Sequence, residues 1–382
     1  MRDNWQSGRL GNLCNIYQPK TISKKECVPD GDFPVFGANG IIGRYDKYNH
    51  EQPELLITCR GATCGAVNVS KPKSWINGNA MVVRPTTDNL SRDFLEYLFR
   101  GGIDLSTVIT GSAQPQITRK SLSPVVIKFP PLPEQNRIVA ILDEAFAGIA
   151  TAVANTEKNL ANARELFESH LNAVFTQKGD GWVEKKFGEI AGFSQGKQVG
   201  LQEQTKAPMA GYARFVRIVD YTQRTDDIRY VPDPGDKYHV TTDDIVMVRY
   251  GSPGLIGRGI AGVIANNLFK IAIIDRSVYE DYLSLFLMQK PIQQYLSTRG
   301  SVTMPALNFS HVRELVIKFP EISEQKKIVL LVDRYRIETQ RLESIYQQKL
   351  DSLAELKQSI LQKAFSGELT KAPDRALAEA GV

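Results

Sequence analysis

From Glu134 onward the apolar positions return every three or four residues, at Ile138, Leu142, Ala145, Ile149, Val153, Leu160, Ala163, Phe167, Leu171 and Val174, with Thr156 keeping the step. That spacing predicts one long amphipathic helix with a narrow seam. A second run repeats it with Ile328, Val332, Tyr335, Thr339, Leu342, Tyr346, Leu350, Leu353, Leu356, Ile360 and Ala364, and Ser323 is its candidate N-cap. Gly179 and Gly367 are the expected stops. At 1.5 Å per residue each helix would span about 60 Å, more than a compact domain needs. Two seams of equal length most simply pack on each other as a coiled coil. The alternative is that each helix packs on its own neighbouring domain.

Before each helix the period shortens. β-rich runs at 54–58, 80–84, 244–249 and 270–274 alternate with glycine-rich turns, and one helix is expected in each part, over 91–100 and 278–297. The chain therefore divides into a mixed α/β head (1–133), a long helix (134–179), a second head (180–323), a second long helix (324–367) and a loose tail (368–382). The fold class expected is α+β, with internal pseudo-twofold symmetry.

The division is reinforced by an internal repeat. PQITRKSLSPVVIKFPPLPEQNRIVAILD, 115–143, matches PALNFSHVRELVIKFPEISEQKKIVLLVD, 305–333, without a gap, at an offset of 305 − 115 = 190. The register continues through Leu160/Leu350, Leu166/Leu356, Leu171/Leu361 and Phe175/Phe365. A weaker echo pairs Trp5 with Trp182, an offset of 177, so the stretches in between differ by 190 − 177 = 13 residues and share little sequence. The scaffold repeats while the heads diverge.

Composition changes this picture little. The 382 residues are enough for two or three cores, and 42% hydrophobic with 23% charged is an ordinary globular balance. A net charge of +5 permits a polyanionic partner without demanding one. No apolar leader opens the chain and no run approaches 18 uninterrupted apolar residues, so a membrane span is not expected and a cytoplasmic location is. Cys14, Cys27, Cys59 and Cys64 form no CxxC pair, and His50, His170, His239 and His311 are scattered, which favours free thiols over a disulfide or zinc scaffold.

Motifs for catalysis fail on context. Gly257-Arg-Gly-Ile-Ala-Gly262 satisfies GxGxxG, but the β-branched residues after it read as strand instead of the helix a dinucleotide needs. Gly192-Phe-Ser-Gln-Gly-Lys197 is one residue short of a phosphate loop and has Gln198 where Ser or Thr would hold magnesium. With no nuclease, methyltransferase or nucleophile-elbow motif in view, neither a catalytic centre, a metal nor a cofactor is expected in this chain. Basic residues do sit beside turn glycines and aromatics: Arg60, Lys71 and Lys73 in the first head, Arg217, Arg249, Tyr250 and Arg258 in the second. Gln114, Gln116, Arg119 and Lys120 precede the first repeat segment as Arg299 and Thr303 precede the second. These are candidate phosphate contacts or base readers.

Two divergent heads, each closing on Phe129-Pro-Pro-Leu-Pro-Glu-Gln135 or Phe319-Pro-Glu-Ile-Ser-Glu-Gln325 and a long helix, resemble the specificity subunits of Type I restriction-modification systems. The run Phe36-Gly-Ala-Asn-Gly-Ile-Ile-Gly43 is similar to one class of their target-recognition domains. The resemblance implies that each head reads half of a split double-stranded DNA site, while antiparallel helices set the gap and hold two methyltransferase subunits. S-adenosylmethionine, ATP and magnesium would then belong to those partners and to motor-nuclease subunits. A coiled-coil assembly adaptor that does not read DNA, and an enzyme with an unrecognised site, are the rival readings.

Overall fold

The computed structural model describes residues 4–111, 114–176, 181–223, 225–298 and 306–370. It separates into two compact units, residues 1–157 with 348–382, and residues 158–347. Each unit holds one head, the first part of the long helix that follows it, and the last part of the other long helix.

In the first unit, Gln6–Arg9 pairs antiparallel with Val126–Phe129, so the two ends of the head meet where the helix begins. A four-stranded sheet follows in the order Cys14–Tyr17, Ala80–Pro85, Leu55–Thr58, Val67–Val69, and a three-stranded sheet sets Phe33–Gly37 between Gly40–Tyr45 and Trp75–Ile76. The second unit repeats the plan. Val183–Lys186 pairs with Val316–Phe319. Ala191–Gln195, Leu268–Ile273, Ile245–Val248 and Ile256–Gly257 form one sheet, and Tyr212–Val216 lies between Arg229–Pro232 and Gly262–Ile264 in the other. Both GxGxxG ends are therefore strand, as their β-branched context predicts. Gly196 lies where a Cβ would meet the Ala265 carbonyl oxygen at 2.2 Å, so its role is close strand approach.

The long helices run Leu132–Thr176 and Ile322–Ser366, 45 residues each. Both start two residues earlier than the sequence suggests. Pro133 is tolerated in the first turn because its missing N–H would be unpaired there anyway, and Ser323 lies inside the helix, its hydroxyl bonded to Glu321, instead of capping it. Gly367, at φ 77°, ends the second helix as expected, with the N–H groups of Glu368 and Leu369 returning to the Lys363 carbonyl. Gly179 falls outside the described residues.

Within each unit the two helical segments run antiparallel. In the first, Glu134 meets Thr370 and Phe146 meets Lys357; in the second, Arg164 binds Glu343 at 2.8 Å and His170 stacks on Tyr335 with ring centroids 4.5 Å apart. The segments also pack on the heads. Ile138, Leu142, Leu361, Ala364 and Phe365 are part of the first head's core, and Leu171, Val329 and Val332 part of the second's. Both packing schemes open from the sequence are thus used together. The repeated phenylalanines do the same work: Phe365 lies edge-on to Phe94 at 5.7 Å, and Phe175 lies 4.9 Å from Tyr282. Gly101 and Gly102 make room, since a Cβ there would meet Leu361 at 2.7 Å or Leu98 and Phe365 at 2.7 and 2.8 Å.

The head helices differ from expectation. The first is Arg92–Tyr97, widening into a π-turn over Leu98–Gly102. The second breaks into Glu280–Met288 and Lys290–Thr298, because Pro291 cannot continue one helix but suits the first turn of another. By length and composition the first long helix could cross a membrane, with a mean hydropathy of 1.5 over 18 residues, although Asp143 and Glu144 interrupt its apolar positions. Alanines at 140, 147, 150, 152 and 154 raise that average without widening the seam.

One contact fixes each helix to its head. Gln135 and Gln325 are fully buried. The Gln135 carbonyl accepts from the Ser91 N–H at 2.8 Å, while its amide donates to the carbonyls of Asn89 (2.8 Å) and Pro130 (2.7 Å). Gln325 makes the same three bonds, with Tyr279 N–H, Ser277 and Pro320, at 2.8, 2.8 and 2.7 Å. Ser91 and Tyr279 are the N-cap residues of the head helices. The glutamine thus supplies from another helix what a capping box supplies from within one. Gln135→Ala or Gln325→Ala should cost about 2–4 kcal/mol, since buried partners left unpaired lose about 1–3 kcal/mol each. Gln→Glu should not rescue, because a carboxylate has no N–H for the two carbonyls. Urea denaturation followed by circular dichroism reads both, and an unchanged midpoint would contradict the assignment.

Candidate nucleic-acid interface

In the first unit three chain segments are sewn together at one end of the head. Strand Leu55–Thr58 runs out into a turn held by Gly61 and Gly65, both at φ 92°. The Gly61 N–H bonds Pro115 at 3.2 Å, Ile117 bonds Cys59 at 2.9 Å, and Gln116 bridges both Arg60 and Thr110. The tight connection Ala38-Asn39 joins them: the Thr63 hydroxyl donates to Asn39 Oδ1 at 2.7 Å, and Thr58 donates to the Ala38 carbonyl. Arg60 and Gln114 are exposed on this platform, and neither side chain has a partner among the described residues.

The second unit builds the same turn. Gly254 bonds Val248 at 3.0 Å, Leu307 bonds Arg249 at 2.8 Å, and Tyr250 bridges Ala306, with Gly251 and Gly254 at φ 94° and 90°. Tyr250 stands where Arg60 stands, and 250 − 60 = 190, so the repeat offset extends into the heads although side-chain identity does not. The Tyr250 hydroxyl donates to Asn266 Oδ1 at 3.1 Å.

The large difference lies beside this turn. Where the first head joins two strands through residues 38–39, the second uses residues 217–228, including a helical turn, Ile218–Thr222. This accounts for 12 − 2 = 10 of the 13 extra residues.

The other candidates are placed less uniformly. Lys71 and Lys73 are exposed, but they lead into Trp75–Ile76, which runs parallel to Phe33–Gly37, and so sit at the end of that sheet away from Asn39. Arg119 and Lys120 lie on the short helix Arg119–Leu122, exposed, just beyond Gln116. Arg217 is held by Asp220 (3.3 Å) and Asp227 (3.4 Å), and Arg258 by Asp281 and the Asp243 carbonyl. Arg229 and then Arg217 keep the Asp227 carboxyl below its ordinary pKa. Arg299 and Thr303 fall outside the described residues. Asn39 belongs to the 36–43 run that the sequence already sets apart, whereas its partner Thr63 carries no sequence signal. The four cysteines are free thiols, Cys14 and Cys59 buried and Cys27 and Cys64 partly exposed; burial pushes the Cys14 thiol up to about 12.

A duplicated head with one fixed turn and one variable connection, each tied to a long helix, defines a two-headed recognition scaffold. The model of the Type I restriction modification DNA specificity domain matches residues 2–160 and again 179–351, and the chain belongs to that family. It is similar to the specificity subunit of the Type I restriction enzyme StySPI of Salmonella potsdam, 22% identical over 96% of this chain and 81% of that protein. It is also similar to the EcoDI specificity subunit of Escherichia coli, 21% identical over 96% and 89%. Among solved structures, a chain from work on complex assembly and conformational transition of the type I R-M system superposes with a TM-score of 0.78. That match has 18% identity and covers 96% of this chain and 98% of that one. The HsdS subunit of Thermoanaerobacter tengcongensis gives 0.61 at 18% identity, covering 96% and 97%.

Because Arg217 is tied down and Arg60 is not, their alanine variants should part company. Arg217→Ala should lose about 1–3 kcal/mol, leaving the buried Asp220 carboxylate short of a partner. Arg60→Ala should stay within about 0.5 kcal/mol of wild type. Equal denaturation midpoints would refute the distinction.

Proposed function

We propose that each head of this specificity subunit reads one half of a bipartite, asymmetric double-stranded DNA site, and that the long helices set the gap and dock two methyltransferase subunits. The observation that carries it is the pairing of an identical platform turn, at Arg60 and Tyr250, with unlike connections at 38–39 and 217–228. A repeated frame with two different edges suits two unrelated half-sites. Arg60, Lys71, Lys73, Gln114, Gln116, Arg119, Lys120, Arg249 and Tyr250 are the proposed DNA contacts, with Arg299 and Thr303. Arg217 and Arg258 shape the surface around them. The reading domains are residues 1–133 and 180–323, and 134–179 and 324–367 the spacers.

Two identical partners call for one surface presented twice. Leu166 and Leu356, 190 residues apart, are 57% and 47% exposed despite lying in the helical repeat, and Leu132/Ile322 and Val126/Val316 are further exposed pairs at the same offset. The first long helix keeps its most apolar stretch only 11% buried. Such repeated aliphatic positions favour docking by partner subunits. S-adenosylmethionine, ATP and magnesium are assigned to those partners, and the complex to the cytoplasm, where DNA is.

Mapping methylated adenines in cells carrying the assembled system should return one gapped, non-palindromic consensus. Inserting seven residues at matched seam positions in both helices should change the gap and leave both half-sites alone. An unchanged gap would rule out the spacer role. Methyl transfer by the purified chain alone would favour the enzyme reading, and a complex without a DNA consensus would favour the adaptor.

Leu166→Glu and Leu356→Glu should each weaken methyltransferase binding by roughly ten-fold or more while leaving the denaturation midpoint of the free chain unchanged, about the loss expected when a charge replaces a buried leucine. Titration by calorimetry measures this, and wild-type affinity in both variants would remove these leucines from the interface.

A further inference from the structure

We infer that Ile41 and Ile42 form the base-reading edge of the first head and recognise a thymine through its 5-methyl group in the major groove. The inference rests on the DNA-recognition reading above and adds to it the residues and the chemical feature read.

The two isoleucines open strand Gly40–Tyr45, directly after the variable connection. They are 51% and 46% exposed. Neighbouring residues of a regular strand point to opposite faces, so one of the pair would normally turn toward the sheet's packed side. Here the ladder is bulged: Ile41 pairs with Phe36 and Gly43 with Val35, leaving Ile42 without an opposite residue. A bulge re-aims side chains, and this one keeps both isoleucines outside. Gly37 is part of the device, because a Cβ on it would meet Ile42 Cγ2 at 2.7 Å. Gly40, at φ 111°, makes the turn possible for an unbranched backbone only.

The connection that leads into the pair is held in place by the platform turn. Ala38 and Asn39 are fastened by Thr58, Thr63 and Asn68 to the turn that carries the exposed Arg60. An aliphatic prong on a connection fastened to a turn with an exposed arginine suits a surface that is anionic yet offers an apolar feature. Duplex DNA offers one such feature on its base edges, the thymine methyl, and the major groove admits a two-stranded ribbon. Among the described residues the second head has no equivalent, since its 217–228 connection carries the arginine–aspartate network instead. The inference is therefore confined to one half-site.

The test uses the full chain assembled with its methyltransferase subunits, after the wild-type consensus is known. Duplexes carry deoxyuridine in place of each thymidine of the first half-site, which removes the methyl group and leaves pairing intact. Wild type should lose about four-fold in affinity for one methyl removed. Ile41→Thr/Ile42→Thr should bind the natural site more weakly by a similar factor, become indifferent to deoxyuridine, and read the second half-site unchanged. The wild-type measurement stands even if the variant does not assemble. Indifference of wild type to every deoxyuridine, or a variant that keeps the full deoxyuridine penalty, overturns the inference while the gapped consensus upholds the reading beneath it. Absence of any consensus overturns both.

Discussion

The buried glutamine at the start of each long helix is the constraint on which the rest depends. A helix docked only by apolar contacts can slide or rotate at modest cost, because aliphatic packing is non-directional. Gln135 and Gln325 remove that freedom. Each must place one carbonyl and two N–H groups within 2.7–2.8 Å of three fixed backbone groups. With the amide set, the phase of the seam follows, and Ile138 and Leu142 reach the first core as Val329 and Val332 reach the second.

A rigid joint is also what allows the heads to diverge. Because the clasp and the paired strands Gln6–Arg9 and Val126–Phe129 define the base of the head, changes at its far loops do not propagate to the helix. The second head inserts a helical turn and an Arg217–Asp220–Asp227 network beside the platform turn, and the Tyr250–Ala306 bridge persists at the position of Arg60–Gln116. The charged groups that stay paired inside the head stabilise loop shape, and those exposed on the platform are the proposed contacts to phosphate and base edges.

What was legible in the sequence follows from the same separation. The long helices and their repeat could be read because a seam of 3.5-residue period is a local pattern; that the repeated Phe175 and Phe365 meet head aromatics appears only in the structure. The strands at 54–58, 80–84, 244–249 and 270–274 were legible for the same reason. Leu342 and Leu356 have seam spacing and are exposed, since spacing alone does not say how wide the buried stripe is. The break at Pro291 has a local cause that the apolar period overrides in a reading by spacing, while the π-turn over Leu98–Gly102 depends on the Leu361 and Phe365 packing against it, which no window of sequence contains. Candidate DNA contacts were legible only as residue types. Arg217 and Arg60 look alike in sequence, and only the Asp220 and Asp227 carboxylates, three and ten residues on, tell them apart.

The exposed aliphatic positions complete the physical account. Apolar side chains left in water on a helix lower solubility and contribute little to the folded chain alone, so their recurrence at equal offsets supports the docking surface proposed above. Leu166 and Leu356 are neither core nor charged rim, and each sits on a segment whose inner face is already occupied by its own head. A partner that meets the same leucine on the same scaffold in both units would be placed identically against each head's base, whatever the reading loops contain. On the proposed reading the repeated helix has two faces with two uses, one holding the head in phase through the glutamine clasp and the other docking a partner subunit.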